Sequence, residues 1–335
     1  MDIKKLSQIA KSLVHSQKGI LAADESSNTI KKRFDSIEVE STESNRQIYR
    51  EMLFKTKGIS DFISGIILFD ETIRQNGVDG KSLVSLIIQQ GMIPGIKVDM
   101  GAKPLAGSVE ETVTEGLDGL KERLEEYSQL GAQFTKWRGV INIGDNLPTS
   151  YSIKTNAHAL ARFAALSQEA GLVPIVEPEV LMDGEHDVDE CFRVTQLTLR
   201  EVYYELSLQN VLLEGTLLKP NMVLSGKDAM QRVGPEEVAT KTLTCFMNSV
   251  PSTVPGIVFL SGGQGDEEST VNLNAINKIS KKNKTPWELS FSYGRGLQSA
   301  PLKEWRGIKE NELTAQDIFY ERAKAISMAR QGIYI

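Results

Sequence analysis

The run LVPIVEPE, Leu172–Glu179, is apolar for most of its length and then closes on two carboxylates, Glu177 and Glu179. Its apolar continuity suits a strand buried on both faces, as in a parallel sheet. The same design recurs along the chain. It appears as GILAAD (19–24), ISGIILFD (63–70), IPGIKVD (93–99), QFTKWR (133–138), EGTLLK (214–219), GIVFLSG (256–262) and WELSFSYGR (287–295). Eight candidate strands result, each ending in a polar or charged residue.

Helix signals fill the gaps. Ser108 and Glu111 have capping-box spacing and predict a helix start; Leu117, Leu120, Leu124 and Tyr127 follow at helical spacing, and Gly131 closes the segment. Leu160, Phe163 and Leu166 predict a second helix, and Asp189–Leu208 a third. Eight strands alternating with helices fit a closed parallel barrel or a long doubly wound sheet. No GxGxxG follows an early strand, which favours the barrel. The reading is α/β: a single-domain (β/α)₈ TIM barrel over 1–335, with an N-terminal helical extension over about 1–18.

The chain of 335 residues is 40% hydrophobic and 24% charged, ordinary for a soluble domain with a sizeable core. Its 38 basic against 44 acidic side chains give a net charge of −6, which disfavours a general nucleic-acid binder. Neither Cys191 nor Cys245 belongs to a CxxC pair, so a reducing compartment is expected. The start, MDIKKLSQIAKSLVHSQKG, lacks a signal-peptide core, and no apolar run approaches a membrane span. A cytoplasmic enzyme is the expectation, with no membrane partner.

Chemistry collects at the C-terminal ends of the strands, where barrels carry their active sites. Surface charge explains any one of these residues, but Lys97, Lys136, Glu177 and Lys219 lie within apolar sequence, where unpartnered charge is costly. A lysine attacks only as the neutral amine, and its reference pKa is about 10.4. Lys219 sits in a dry setting between Leu218 and Pro220. Lys136, on an alternate strand, would help to hold it neutral. The bland alternative is a buried Lys219–Glu177 ion pair. Glu177 and Glu179 stand at i, i+2 on one face, so one could serve as general acid. They could equally neutralise Lys136, Arg138 and Lys219, and the two readings are compatible.

The ends of the seventh and eighth strands are glycine-rich: Ser261-Gly262-Gly263 and Gly294-Arg295-Gly296. Such loops bring backbone N–H groups to an anion, and Arg295 adds a bidentate donor. Plain turns are the alternative. Lys31, Lys32 and Arg33, after Ser26 and Thr29, suggest a second phosphate site or a solvated helix face. His15, His158 and His186 are scattered. His186, in DGEHDVDE, reads as part of a solvated loop, so no metal site is expected.

Read together, these stretches resemble the class I fructose-1,6-bisphosphate aldolases. GILAADES (19–26), GIKVDMG (95–101), AQFTKWRGV (132–140), VPIVEPEVL (173–181), LEGTLLKPNMV (213–223), FLSGGQ (259–264), NLNAIN (272–277) and SYGRGLQ (292–298) carry the likeness. It runs from about residue 18 to the end. The resemblance implies a (β/α)₈ barrel and reversible cleavage of fructose 1,6-bisphosphate without metal or other cofactor. It implies Lys219 as the Schiff-base lysine and Glu177 as general acid/base, supported by Asp24, Lys136 and Glu179. Ser261, Gly262, Gly294 and Arg295 would hold the ketose-end phosphate. Lys97 and Arg138, with Ser26, Thr29 and Arg33, would lie toward the other phosphate. It further implies a sugar-phosphate substrate, a homotetramer, and fructose 1-phosphate or another ketose phosphate as the alternative substrate. Departures from the family pattern are Asn28, Thr29 and Met100. The chain ends QGIYI where animal members continue to a terminal tyrosine, so Tyr334 does not take that tyrosine's role.

Overall fold

The computed structural model describes residues 2–335. Ten strands form: β1 Gly19–Ala23, β2 Ile63–Leu68, β3 Ile93–Lys97, β4 Ala102–Pro104, β5 Thr112–Thr114, β6 Phe134–Ile141, β7 Val173–Val180, β8 Leu217–Leu218, β9 Gly256–Phe259 and β10 Glu288–Tyr293. All but β4 and β5 pair in parallel and close a barrel in the order β1-β10-β9-β8-β7-β6-β3-β2. These eight are the strands expected from the apolar runs. β1, β2 and β7 are buried along their whole length. Helices wrap the outside, so both faces of the strands leave water and the side-chain pattern is continuous rather than alternating.

The base of the barrel is closed by the N-terminal helix Ile3–Leu13, capped by the Asp2 carboxylate accepting from Lys5 N. Leu6, Ile9, Ala10 and Leu13 recur at helical spacing and are buried. They form one apolar cluster with Ile20, Phe134, Val173, Ile175, Leu217 and Val258 from five strands. Phe134 fits inside only because Gly95 faces it: a Cβ there would sit 2.3 Å from the ring. The helix is thus a floor, fixed by about 0.8 kcal/mol for each CH₂ removed from water.

The segment after β3 departs from expectation. Ser108 Oγ does donate to Glu111 Oε2 at 2.6 Å, but no helix begins there. Instead β4 and β5 pair as an antiparallel ribbon, with Ala102 opposite Thr114 and Pro104 opposite Thr112. The β-branched run Thr112-Val113-Thr114 prefers the strand, and Gly107 at φ 78° turns the chain back. Glu111 then caps a different helix: it accepts from Thr149 N at 2.8 Å, at the start of Ser150–Glu169. The helix expected near 117 begins only at Leu120 and ends at Gln129. The other two expected helices span Ser150–Glu169 and Val188–Leu208.

Candidate active site

Parallel pairing brings the charged strand ends to one mouth. Lys97 of β3 stands opposite Lys136 of β6, and Arg138 of β6 opposite Glu177 of β7. Lys219 follows β8 directly; its N–H donates to Val176 O at 2.8 Å, which continues the ladder. These ends enclose a cavity of about 590 Å³, whose lining includes Asp24, Lys97, Lys136, Arg138, Glu177, Glu179 and Lys219.

Glu177 is the centre of the floor. Its Oε1 lies 3.1 Å from Lys219 Nζ and its Oε2 3.3 Å from Lys136 Nζ. All three side chains are at most 5% exposed. Lys136 Nζ also lies 2.7 Å from Asp24 Oδ2 and 3.8 Å from Asp99 Oδ2. Burial opposes charge on both Asp24 and Lys136, but their partners outweigh it. Lys136, Lys219 and Lys97 hold the Asp24 carboxyl well below the usual carboxylate range. Asp24, Glu177 and Asp99 hold the Lys136 ammonium above the usual lysine value. Both groups therefore stay charged, and the ammonium is a permanent electrostatic fixture.

Glu179 is spent differently: its carboxylate takes Arg138 Nε. Of the two glutamates only Glu177 bridges two lysines, so they have separate partners. Asp99 is a member of this cluster that the sequence reading placed at a strand end without a role. Its Oδ1 lies 2.7 Å from Lys97 Nζ, and its Oδ2 accepts from Arg138 N at 3.3 Å. With it, Lys97, Lys136, Lys219 and Arg138 face Asp24, Asp99, Glu177 and Glu179: four cations against four carboxylates. Two charged residues one apart at a buried strand end, Lys97 and Asp99, were the available signal.

The opposite wall is built from glycine-rich turns. Gly262 has φ 54°, a conformation that side-chain-bearing residues rarely adopt, and its carbonyl accepts from the Arg295 guanidinium. The helix Arg295–Trp305 starts immediately after Gly294, so unpaired N–H groups and the positive end of its dipole lie at the rim. Ser261, Gly262, Gly294 and Arg295 all line the cavity.

Ser26, Thr29 and Arg33, on or beside the helix Ser27–Asp35, complete the mouth; Ser26 Oγ is 3.1 Å from Thr29 Oγ1. Arg33 NH2 approaches Gly294, lying 3.7 Å from where a Cβ on that glycine would be. The structure thus sets Arg33 beside the Gly294 turn. Thr29 lines the cavity; Asn28 and Met100 do not, and Met100 is exposed.

Ser292 was not singled out from the sequence. It lines the cavity with a buried hydroxyl that has no hydrogen-bond partner in the protein. Its place two residues before Gly294 in β10 was the available hint. Glu25, Lys32, Gln298 and Lys303 also line the cavity. His186 is not in the solvated setting expected of it: both ring nitrogens are buried without a partner, and burial lowers its pKa. Among the described residues, no group of three or more His, Cys, Asp or Glu is arranged to hold a metal.

A profile of the family described as fructose-bisphosphate aldolase class-I matches residues 5–335. The chain belongs to that family. A probable class 1 fructose-bisphosphate aldolase of Xanthomonas campestris is 54% identical over 333 residues, covering 99% of each chain. Cytosolic fructose-bisphosphate aldolase 4 of Arabidopsis thaliana is 54% identical over 317 residues, covering 95% of this chain and 80% of the plant protein. The solved fructose-bisphosphate aldolase of Plasmodium falciparum superposes with a TM-score of 0.97. It is 48% identical and is matched over 99% of this chain and 96% of its own. The barrel is the family's barrel. No helix among the described residues is long and apolar enough to cross a membrane.

Proposed function

We propose that this class I aldolase cleaves fructose 1,6-bisphosphate reversibly through a Schiff base on Lys219. The observation that carries the reading is the 3.1 Å contact between Lys219 Nζ and a Glu177 carboxylate that also touches Lys136. Transfer of one proton along that contact makes two reactive groups at once: a neutral amine and a carboxylic acid. The amine attacks the C2 ketone. Glu177 protonates the departing hydroxyl, and water leaves the carbinolamine. The iminium then accepts the electron pair of the breaking C3–C4 bond and becomes an enamine. The C4 hydroxyl proton passes to Glu177, which lines the cavity and is ionised again after protonating the departing hydroxyl, with the Asp24 carboxylate nearby. Glyceraldehyde 3-phosphate departs. Protonation at C3 and hydrolysis then release dihydroxyacetone phosphate and return Lys219.

Lys136 supplies fixed positive charge beside these carboxylates, and Glu179 holds Arg138. Ser261, Gly262, Gly294 and Arg295 form the ketose-end phosphate site, with the helix N-terminus at its rim. Lys97, Arg138, Ser26 and Thr29 serve the far phosphate. Arg33, given its position, reaches the near one. The reaction belongs to glycolysis and gluconeogenesis. A cytoplasmic location is supported by the names of the plant relatives. Family resemblance supports a homotetramer whose subunit is a single barrel domain.

Incubation with dihydroxyacetone phosphate, borohydride reduction and peptide mass spectrometry tests the mechanism. The expected product is an adduct on Lys219, with turnover unchanged by a chelator. No adduct at Lys219, or activity abolished by the chelator, refutes it.

A further inference from the structure

Beside the Gly294 turn, at the edge of the cavity, lies a buried acid that the mechanism does not use. Glu25 is 6% exposed and follows Asp24 at the end of β1. Its Oε1 takes the Arg33 guanidinium through NH1 and accepts from Gln298 Nε2 at 2.8 Å. Gln298 Nε2 donates in addition to Ala22 O at 2.7 Å, which ties the helix Arg295–Trp305 to β1. The backbone carbonyl of Glu25 accepts from Arg50 NH2 at 2.8 Å. Arg50, 1% exposed, is itself held by Glu71 at 3.3 Å. Glu25 is therefore an anchor fixed from three directions: its own strand, the helix Glu43–Phe54 through Arg50, and the helix after Gly294 through Gln298.

One consequence concerns Arg33. Its NH1 is occupied by this anchor, which leaves NH2 beside Gly294, 3.7 Å from where a Cβ on that glycine would be. A guanidinium is planar, so fixing one nitrogen fixes the plane and the direction of the other donors. We propose that Glu25 is a positioning residue for sugar-phosphate recognition, holding Arg33 so that NH2 faces the Gly294–Arg295 phosphate turn. The proposal rests on the reading of that turn as a phosphate site. Glu25 reaches no reacting atom; it acts through Arg33. Removing its charge frees the guanidinium to swing toward solvent, so the phosphate must order it on binding.

The test is a double-mutant cycle with steady-state kinetics on fructose 1,6-bisphosphate, using Glu25→Gln, Arg33→Ala and both together. Glu25→Gln should raise KM about fivefold, the size of one ordinary hydrogen bond, with kcat within about twofold. Arg33→Ala should raise KM more, roughly tenfold or above, because it deletes a charged donor. In the Arg33→Ala background, Glu25→Gln should add less than about twofold. Inorganic phosphate inhibition constants should move in parallel with KM. Borohydride trapping at Lys219 and melting temperature report the integrity of each variant.

If Arg33→Ala leaves KM unchanged, the phosphate reading of that wall fails. If Arg33→Ala raises KM but Glu25→Gln does not, or lowers it, the positioning role fails. The role also fails if the Glu25→Gln effect persists in full without Arg33, because the glutamate would then be only a structural support.

Discussion

Replacing Lys136 by Met keeps the length of the side chain and removes only its ammonium. Three carboxylates then lose a shared partner: Asp24 at 2.7 Å, Glu177 at 3.3 Å and Asp99 at 3.8 Å. At an effective dielectric constant of about 20, each such contact corresponds to roughly 4–6 kcal/mol of Coulomb energy. Desolvation of Lys136 offsets most of that sum. Removing one partner from a buried pair costs about 3–5 kcal/mol in practice. For a chain of this length the unfolding entropy is about 0.7 kcal/mol/K, so the melting temperature should fall by about 4–7 °C near neutral pH.

The pH dependence carries the sharper test. In the native protein, Asp24 lies below its ordinary value and Lys136 above its own. A depressed carboxylate contributes stability above its unfolded pKa and loses it only as pH falls through the lower folded value. A raised lysine contributes fully below its unfolded pKa and loses it only as pH rises through the higher folded value. Between about pH 4 and pH 10 these two contributions are thus constant. In the Met variant the carboxylates crowd without their cation, so the folded state takes up a proton more readily. The deficit in melting temperature should therefore shrink as pH falls from 8 toward 5. Calorimetry of both proteins across that range is the assay. kcat should also fall by at least about a hundredfold, from loss of fixed charge at the reacting centre. A deficit that stays constant with pH, or a variant with nearly native kcat, would refute the account of Lys136 as the shared counter-ion.

Three further outcomes are expected. Arg138→Lys retains a charge for Glu179 but loses the planar fork, so KM for fructose 1,6-bisphosphate should rise about threefold to tenfold. KM for fructose 1-phosphate should hold, and parallel kinetics on the two substrates decide it. Gly262→Ala places a side chain at φ 54° and a Cβ 3.0 Å from Leu260 Cδ1. At about 1–2 kcal/mol of strain it should raise KM for both substrates and loosen inorganic phosphate binding, measurable by inhibition kinetics. Leu13→Ala empties part of the fully buried floor and should cost about 3 kcal/mol, or about 4 °C in melting temperature, with KM unchanged.

The barrel was legible because each barrel strand is apolar for most of its length and then reaches a polar or charged end at the cavity. Eight repeats of that transition leave few architectures open. The site was legible for the same reason: Lys136, Glu177 and Lys219 stand out against apolar neighbours. The ribbon at 102–114 was not legible, because Ser108 and Glu111 satisfy a capping spacing whether or not a helix follows. Only the later Thr112-Val113-Thr114 run distinguishes the outcomes. The pairing of Glu179 with Arg138 rather than with a lysine depends on strand register, which sequence spacing does not fix. Arg50 drew no attention in the sequence, where nothing local marks it as buried. Its burial comes from the meeting of three elements distant in sequence, and neither Glu25 nor Gln298 announces a partner locally.

The helix Ile3–Leu13 closes the end of the barrel away from the mouth, and Lys4 and Lys11 on it are exposed. Its outer surface is therefore a place to hold the enzyme without obstructing it. Coupled to a bead or an electrode through that helix, the molecule would stand with its opening toward the bulk liquid. Sugar phosphates would enter and leave as freely as in solution.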